Sequence, residues 1–220
     1  MIGLVANLSV IIPTLNESAH LAGTLEPLVH SGCEIIVVDG GSDDSTPDIA
    51  TACDSIFLPS KTRGRSFQMN LGATSAQGDL FLFLHADTIL SPLAITNLTR
   101  AFEEDPDLTG GSFFRFFDSE SRFLRTTCHW ANWRTRRWGI FLGDQGIFVR
   151  SSIFRELNGF REDLPYGEDL DFSIRLRKLG KTIALEPPVI SSARRFYKLG
   201  PLRQTVKDLL LTLKVIRMRK

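Results

Sequence analysis

A chain of 220 residues, 43% hydrophobic and 23% charged, is long enough to bury one sizeable core and has the composition of a soluble globular domain. A formal net charge of +1 gives no general attraction to nucleic acid, and no nucleic-acid partner is expected. Cys33, Cys53 and Cys128 are odd in number and widely spaced, so they define neither a disulfide framework nor a zinc site. They read as free thiols and place the protein in a reducing cytoplasm.

The first apolar stretch, Met1 to Leu15, lacks a basic leader and is interrupted by Asn7 and Pro13, so it reads as strand rather than signal peptide. The strand covers about Leu8 to Thr14. Asn16 is then expected to cap a helix with Leu21, Leu25 and Leu28 on one face. Glu34 to Val38 forms a second strand, and Thr46 caps a short helix with Pro47 at its first position. Ser55 to Leu58 is a third strand. Lys61 to Gly64 is a polar loop before a helix that runs to about Ala76. Asp79 to Leu84 is continuously apolar, the mark of a central strand. Ser91-Pro92 opens another helix. Gly111 to Phe117 reads as strand, Glu120 to Arg137 as helix and Gly146 to Val149 as strand. Glu168 to Leu179 forms a helix ended by Gly180, Thr182 to Leu185 a last short strand, and Pro201 to Arg219 a basic amphipathic helix. No run approaches the roughly 20 apolar residues of a membrane span. The alternation predicts a mostly parallel α/β sheet with helices on both faces, and in such sheets ligands sit at the carboxyl ends of the strands.

Polar residues gather at those ends. Asn16, Glu17, Asp39, His85 and Asp87 each follow an apolar run and are expected to converge on one crevice. Asp39 precedes Gly40-Gly41-Ser42, where backbone can approach a ligand closely; a polar turn is the plain alternative. His85 and Asp87 are i and i+2, which on extended backbone points both toward one ion. Mg²⁺ or Mn²⁺ held by one or two protein groups plus substrate phosphates suits a diphosphate ligand. Here the alternative is a capping Asp. Arg63-Gly64-Arg65 before a helix suits an anionic phosphate, or forms a solvated basic loop. Glu168, Asp169 and Asp171 open a helix, where acids are favoured by the macrodipole and where a general base could stand.

Four motifs in order carry a family resemblance: Val10-Ile11-Ile12-Pro13-Thr14-Leu15-Asn16-Glu17, Val38-Asp39-Gly40-Gly41-Ser42-Asp43-Asp44-Ser45-Thr46, Leu84-His85-Ala86-Asp87-Thr88, and Gly167-Glu168-Asp169-Leu170-Asp171-Phe172. Together they resemble the family 2 glycosyltransferases, over about Leu8 to Pro187. The stretch from Arg63 to Ala73 is most similar to the small group of radical-SAM/selenodomain-associated transferases. The resemblance implies the GT-A fold, a Rossmann-like mixed, mostly parallel sheet flanked by helices. It implies an inverting transfer from a nucleoside-diphosphate sugar, expected to be a UDP-sugar, to an acceptor hydroxyl. Pro13, Thr14, Asn16 and Glu17 would line the nucleotide pocket, Asp39 would contact the base, and Arg65 would lie near nucleotide or phosphates. Asp87 would hold Mg²⁺ or Mn²⁺ on the donor diphosphate, and Asp169 would be the general base.

The chain departs from the family pattern in two places. His85 stands where the first Asp of the metal motif is expected. The Gln-x-x-Arg-Trp motif of processive synthases is absent; Arg194 and Arg195 occupy a comparable place, where one could reach the diphosphate, with a plain solvated pair as the alternative, and a single addition is expected. Two other enzyme or binding classes remain open. A nucleotidyltransferase would need a Gly-rich basic loop after the first strand, which Pro13-Thr14-Leu15-Asn16 is not. A non-catalytic nucleotide-sugar-binding or membrane-scaffold protein is opposed by Asp169.

Trp130, Trp133 and Trp138 are read first as helix-core packing, with stacking on sugar or lipid as the alternative. Glu168, Asp144 and Gln145 are candidates to face the acceptor. Residues 1–197 are expected to form the transferase domain and 198–220 a separate amphipathic helix. That tail carries seven Lys/Arg against Asp208 and is +6 by formal count, leaving the rest about −5. Its stripe of Leu202, Val206, Leu209, Leu210, Leu213, Val215 and Ile216 is expected either to dock on the domain or a second subunit, or to lie at the inner face of the membrane, where a lipid-linked acceptor would be found.

Overall fold

The computed structural model describes residues 7–218. The reading of Met1 to Asn7 as part of the first strand region therefore lies largely outside the described residues, as do Arg219 and Lys220 of the basic tail.

Strands β1 (Leu8–Thr14), β2 (Glu34–Asp39), β3 (Ile56–Pro59), β4 (Leu80–Phe83), β5 (Thr88–Ile89), β6 (Leu108–Phe117), β7 (Ile147–Arg150) and β8 (Lys181–Ser191) join one eight-stranded sheet. Its order is β3-β2-β1-β4-β7-β6-β8-β5. The first four strands are mutually parallel, with Ile11 paired to Ile36 on one side and to Phe83 on the other. β7 runs antiparallel to both β4 and β6, and β6 pairs parallel with β8. The sheet is mixed and mostly parallel, the GT-A architecture.

Period-two burial explains why these segments are strands with two covered faces. Val10, Ile12, Ile35, Val37, Leu82 and Leu84 pack one way, against Leu21, Leu25 and Leu28 of α1 (Leu21–Val29) and Ala94, Leu98 and Phe102 of α4 (Pro92–Glu104). Ile11, Ile36, Val38, Phe81 and Phe83 face the other way, onto Met69 and Ala73 of α3 (Arg65–Ser75), Phe154 of α6 (Ser151–Glu156), and Phe172 and Leu176 of α7 (Glu168–Leu179). Phe83, Phe154, Phe160 and Phe172 meet ring to ring, with centroids 4.6–5.5 Å apart.

Several expectations change. Asn16 does not cap α1, which begins only at Leu21; it sits at φ 55° in the connecting turn. There its Oδ1 accepts from Asp43 N–H and its own N–H donates to Ser42 Oγ. Thr46 is the first residue of α2 (Thr46–Ala52), and its N–H is capped by Asp44 Oδ1 at 2.9 Å. The last strand is much longer than four residues. Pro187 and Pro188 fit inside it because the β6–β8 register slips between Leu185 and Val189.

The helix α5 (Arg122–Trp138) buries Leu124, Cys128, Ala131 and Thr135, not its tryptophans. Trp130, Trp133 and Trp138 are 60%, 47% and 39% exposed and contact one another in series, Trp130 stacked on Trp133 with centroids 4.9 Å apart and Trp138 edge-on to Trp133 at 5.1 Å. Core packing is thus corrected to an exposed aromatic ladder. The final helix pair, α8 (Arg194–Leu199) and α9 (Pro201–Met218), also keeps its apolar stripe outside. Leu202, Val206, Leu209, Leu210, Leu213 and Ile216 are 43–66% exposed, and only Gln204 and Val215 of α9 are buried. Of the stripe, only Val215 docks on this chain, beside Gly167 at the start of α7. Among the described residues, no helix is long and apolar enough to cross a membrane.

Candidate active site

The parallel strands end on one side of the sheet, and so do the polar residues. At the end of β2, Asp39 is buried and fully engaged. Its Oδ2 accepts from Gly41 N–H and Ser42 N–H at 2.9 and 2.8 Å, and its Oδ1 from Thr14 Oγ1 and Ser42 Oγ. These bonds hold the polar turn after β2. Pro13 and Thr14 are buried at the end of β1, whose last carbonyl accepts from the buried amide of Gln68 on α3.

β4 ends at Phe83, and His85 to Asp87 form a turn closed by Thr88 N–H donating to His85 O at 3.1 Å. The extended backbone expected there is absent, so the two side chains have different partners. Asp87 Oδ2 lies 3.1 Å from Arg194 Nη2, which also donates to Glu17 Oε1 at 2.5 Å. The bond to Glu17 pushes the Arg194 guanidinium further up. His85 Nε2 lies 3.4 Å from Arg65 Nη1. Burial, and then the Arg65 charge, pull the His85 imidazole below its ordinary value.

From the other side comes α7. Arg65 Nε pairs with Glu168 Oε1 at 2.8 Å, tying the start of α3 to the start of α7. Burial and the neighbouring Asp169 charge raise the Glu168 carboxyl. Asp169 is half-buried and accepts Gly143 N–H on Oδ2 at 2.8 Å. Gly143 opens a 3₁₀ turn, Gly143–Gln145. A Cβ there would stand 2.7 Å from His85 Nε2 and 3.3 Å from Asp169 Oδ2, so His85 and Asp169 face each other across one Cα that has to be glycine. Asp144, next in the turn, pairs with the buried Arg115 of β6. Burial opposes its ionisation, but Arg115, His85 and Arg134 outweigh that and hold its carboxyl below the usual range.

The structure thus brings Glu17, Arg65, His85, Asp87, Asp144, Glu168, Asp169 and Arg194 to one crevice. Two candidates leave it. Gln145 is buried, and its amide bonds Leu142 N–H, Thr135 and Phe113 O, so it holds scaffold instead of facing an acceptor. Arg195 turns to α9 and pairs with Asp208 at 3.0 Å. Arg115 and Arg134 were not singled out from the sequence. An Arg among the phenylalanines of Phe113 to Phe117 was a signal, since a charge in a buried strand needs a partner; Arg134 gave none.

No group of three or more His, Cys, Asp or Glu that could hold a metal is present among the described residues. One carboxylate and one imidazole still suit a Mg²⁺ or Mn²⁺ ion that completes its shell with diphosphate oxygens and water. Asp87 would have to exchange Arg194 for the ion.

This fold, with acids and arginines at the strand ends, defines a GT-A nucleotide-sugar-type domain. The sequence model of glycosyl transferase family 2 matches residues 9–161, and the chain belongs to that family. It is 32% identical over 193 residues to a PGL/p-HBAD biosynthesis glycosyltransferase of Mycobacterium bovis, covering 76% of this chain and 68% of that protein. It is 30% identical over 162 residues to the undecaprenyl-phosphate 4-deoxy-4-formamido-L-arabinose transferase of Serratia proteamaculans, covering 67% of this chain and 49% of the relative. Among solved structures, the mannosyltransferase PcManGT of Pyrobaculum calidifontis, in complex with GDP-Man and Mn²⁺, superposes with a TM-score of 0.69 at 20% identity, covering 86% of this chain and 57% of that one. TarS 1-349 of S. aureus superposes with a TM-score of 0.67 at 17% identity, and the chain spans about 60% of that structure's length.

Proposed function

We propose that this chain transfers one sugar from a nucleoside diphosphate, UDP before others, to an acceptor hydroxyl with inversion at the anomeric carbon. The observation that carries the reading is Asp169, whose carboxylate opens α7 beside Gly143 and faces the strand-end turn of His85 and Asp87. In this mechanism Asp169 takes the acceptor proton as the hydroxyl oxygen attacks the anomeric carbon from the face opposite the diphosphate. The new C–O bond forms as the bond to the diphosphate oxygen breaks. Arg65 and Arg194, both at the crevice, answer the negative charge that builds on the departing diphosphate. Asp87 and His85 would hold a Mg²⁺ or Mn²⁺ ion, which would supply further positive charge there. Thr14, Asn16, Glu17 and Asp39 frame the nucleotide end, and Glu168 positions Arg65.

TarS structures contain UDP and UDP-GlcNAc, and PcManGT contains GDP-Man with Mn²⁺, which supports a nucleotide-sugar donor. The undecaprenyl-phosphate relative supports a lipid-linked acceptor. With the exposed stripe of α9, this suggests an enzyme at the cytoplasmic face of a membrane, consistent with free thiols at Cys33, Cys53 and Cys128. The pattern from Arg63 to Ala73 supports placement in the radical-SAM-associated group.

The test is a donor panel with Mn²⁺, reading nucleotide release and the product's anomeric configuration. Release of UDP from one UDP-sugar, with an inverted product, is expected. A retained configuration rejects inversion. Release of pyrophosphate means nucleotidyl transfer, and binding without any turnover leaves a non-catalytic binding protein.

A further inference from the structure

Arg134 has no counterpart in the mechanism above. It lies on α5 next to Asn132, whose amide bonds both the N–H and the C=O of Arg115 at 3.0 Å and so fixes the helix against β6 at the Arg115–Asp144 pair. The charges of Asp144, Arg115 and Asp169 all act on the Arg134 head, and burial pulls its guanidinium below the ordinary value. Its Nε and Nη2 are both buried and neither has a hydrogen-bond partner. A buried cationic N–H left unbonded is costly, and two on one side chain imply that something absent from the chain completes them. The hydrogen bonds that the nearby carboxylates make go to other donors: Asp144 Oδ2 to Arg115, Asp169 Oδ2 to Gly143 N–H and Asp169 Oδ1 to Leu170 N–H. Asp144 Oδ1 is itself buried and unpartnered, so it makes no bond to Arg134 either.

Nε–H and Nη2–H are the side-on edge of a guanidinium. They form a fork matched to two oxygens of a phosphate or carboxylate. We propose that the side-on fork of Arg134 binds an oxyanion carried by the acceptor, a phosphate or carboxylate close to the hydroxyl that reacts. Asp144 Oδ1 is placed to accept a hydroxyl of the same molecule. The inference rests on the glycosyl-transfer reading only in calling the bound molecule the acceptor; the anion site itself is separable from the donor site.

The experiment uses the full chain saturated with UDP and Mg²⁺, so that the donor end is filled. Inorganic phosphate and, in a second arm, acetate are titrated calorimetrically at constant ionic strength. One anion per chain is expected, with phosphate or acetate preferred according to which group the acceptor carries. R134Q should weaken it roughly tenfold or more, the worth of a charge-assisted bidentate pair. R134K, which keeps the charge and loses the fork, should fall between. UDP affinity should be the same in all three proteins. Equal anion affinity in wild type and R134Q, or no binding of either anion, overturns the proposal. Failure of UDP to bind tells against the donor reading instead, and the anion arms are then read without nucleotide.

Discussion

Asp169 and Gly143 show how the smallest scale sets the chemistry. The carboxylate is held by a backbone N–H, and the residue that offers that N–H has no side chain to block the gap toward His85. If Asp169 is the base, Asp169→Asn keeps the shape and the hydrogen bond to Gly143 but cannot take a proton. Turnover should then fall by about 10²-fold or more, with donor affinity unchanged by calorimetry. Near-normal turnover would move the role to another group. The Arg194 bridge between Glu17 and Asp87 gives a second prediction. UDP binding should weaken in excess chelator, and Asp87→Ala should abolish the difference between metal-loaded and chelated protein. Equal UDP affinity with and without chelator would remove the metal from this site. The converging acids were legible in the sequence because each follows an apolar run. Arg65 and Arg194 were legible as site residues, but which acid each would pair with was not, and Arg115 and Arg134 were missed, because these arginines come from separate elements and meet only after the chain folds.

The elements that position these residues were legible to different degrees, for physical reasons. β1, β2 and β4 are marked by continuous apolar runs, and α3 and α7 by the glycines that bound them, and all five were placed within a residue or two. β5 is two residues long and exists only because Thr88 and Ile89 pair with Ser191 and Ile190 at the far end of the chain. β8 runs well past the expected Thr182 to Leu185, and Pro187 and Pro188 sit inside it where the register with β6 slips. The tryptophans of α5 were misplaced because burial of aromatics is a tendency of composition, while the helix rotates Leu124, Cys128 and Ala131 inward. At this scale the link from packing to function runs through Phe172. It is fully buried on α7, one turn from Asp169, with its ring 4.6 Å from Phe160. Phe172→Ala should cost about 3–5 kcal/mol, read as a lowered urea midpoint. Activity should also drop at temperatures where the protein is still folded, because the start of α7 loses the ring that seats it. A variant of unchanged stability would mean that the phenylalanine cluster does not anchor this helix.

For the whole molecule, the distribution of apolar surface matters more than its amount. The sheet is covered on both faces, yet α9 leaves a row of leucines outside, and α5 leaves three mutually contacting tryptophans. The polar flank of α9 carries Arg203, Lys207, Lys214 and Arg217, while its Asp208 is paired with Arg195. An interfacial helix needs this combination: apolar area to insert, and cations that each add about 1 kcal/mol near an anionic lipid surface. A second copy of the chain would cover the leucines equally well, but the lysines and arginines would then face like charge across a two-fold axis. We therefore expect the chain to float with vesicles containing anionic lipid and to be released by high salt. Leu209→Glu combined with Leu213→Glu should leave the thermal midpoint within a few degrees, since both residues are exposed, and should abolish flotation. Reversal of Lys207, Lys214 and Arg217 to Glu should do the same for anionic vesicles. If the unaltered chain stays at the bottom of the gradient and instead elutes as a dimer that the Leu209→Glu, Leu213→Glu variant converts to monomer, the stripe is a subunit interface, and the acceptor has to be delivered to the crevice without the help of α9.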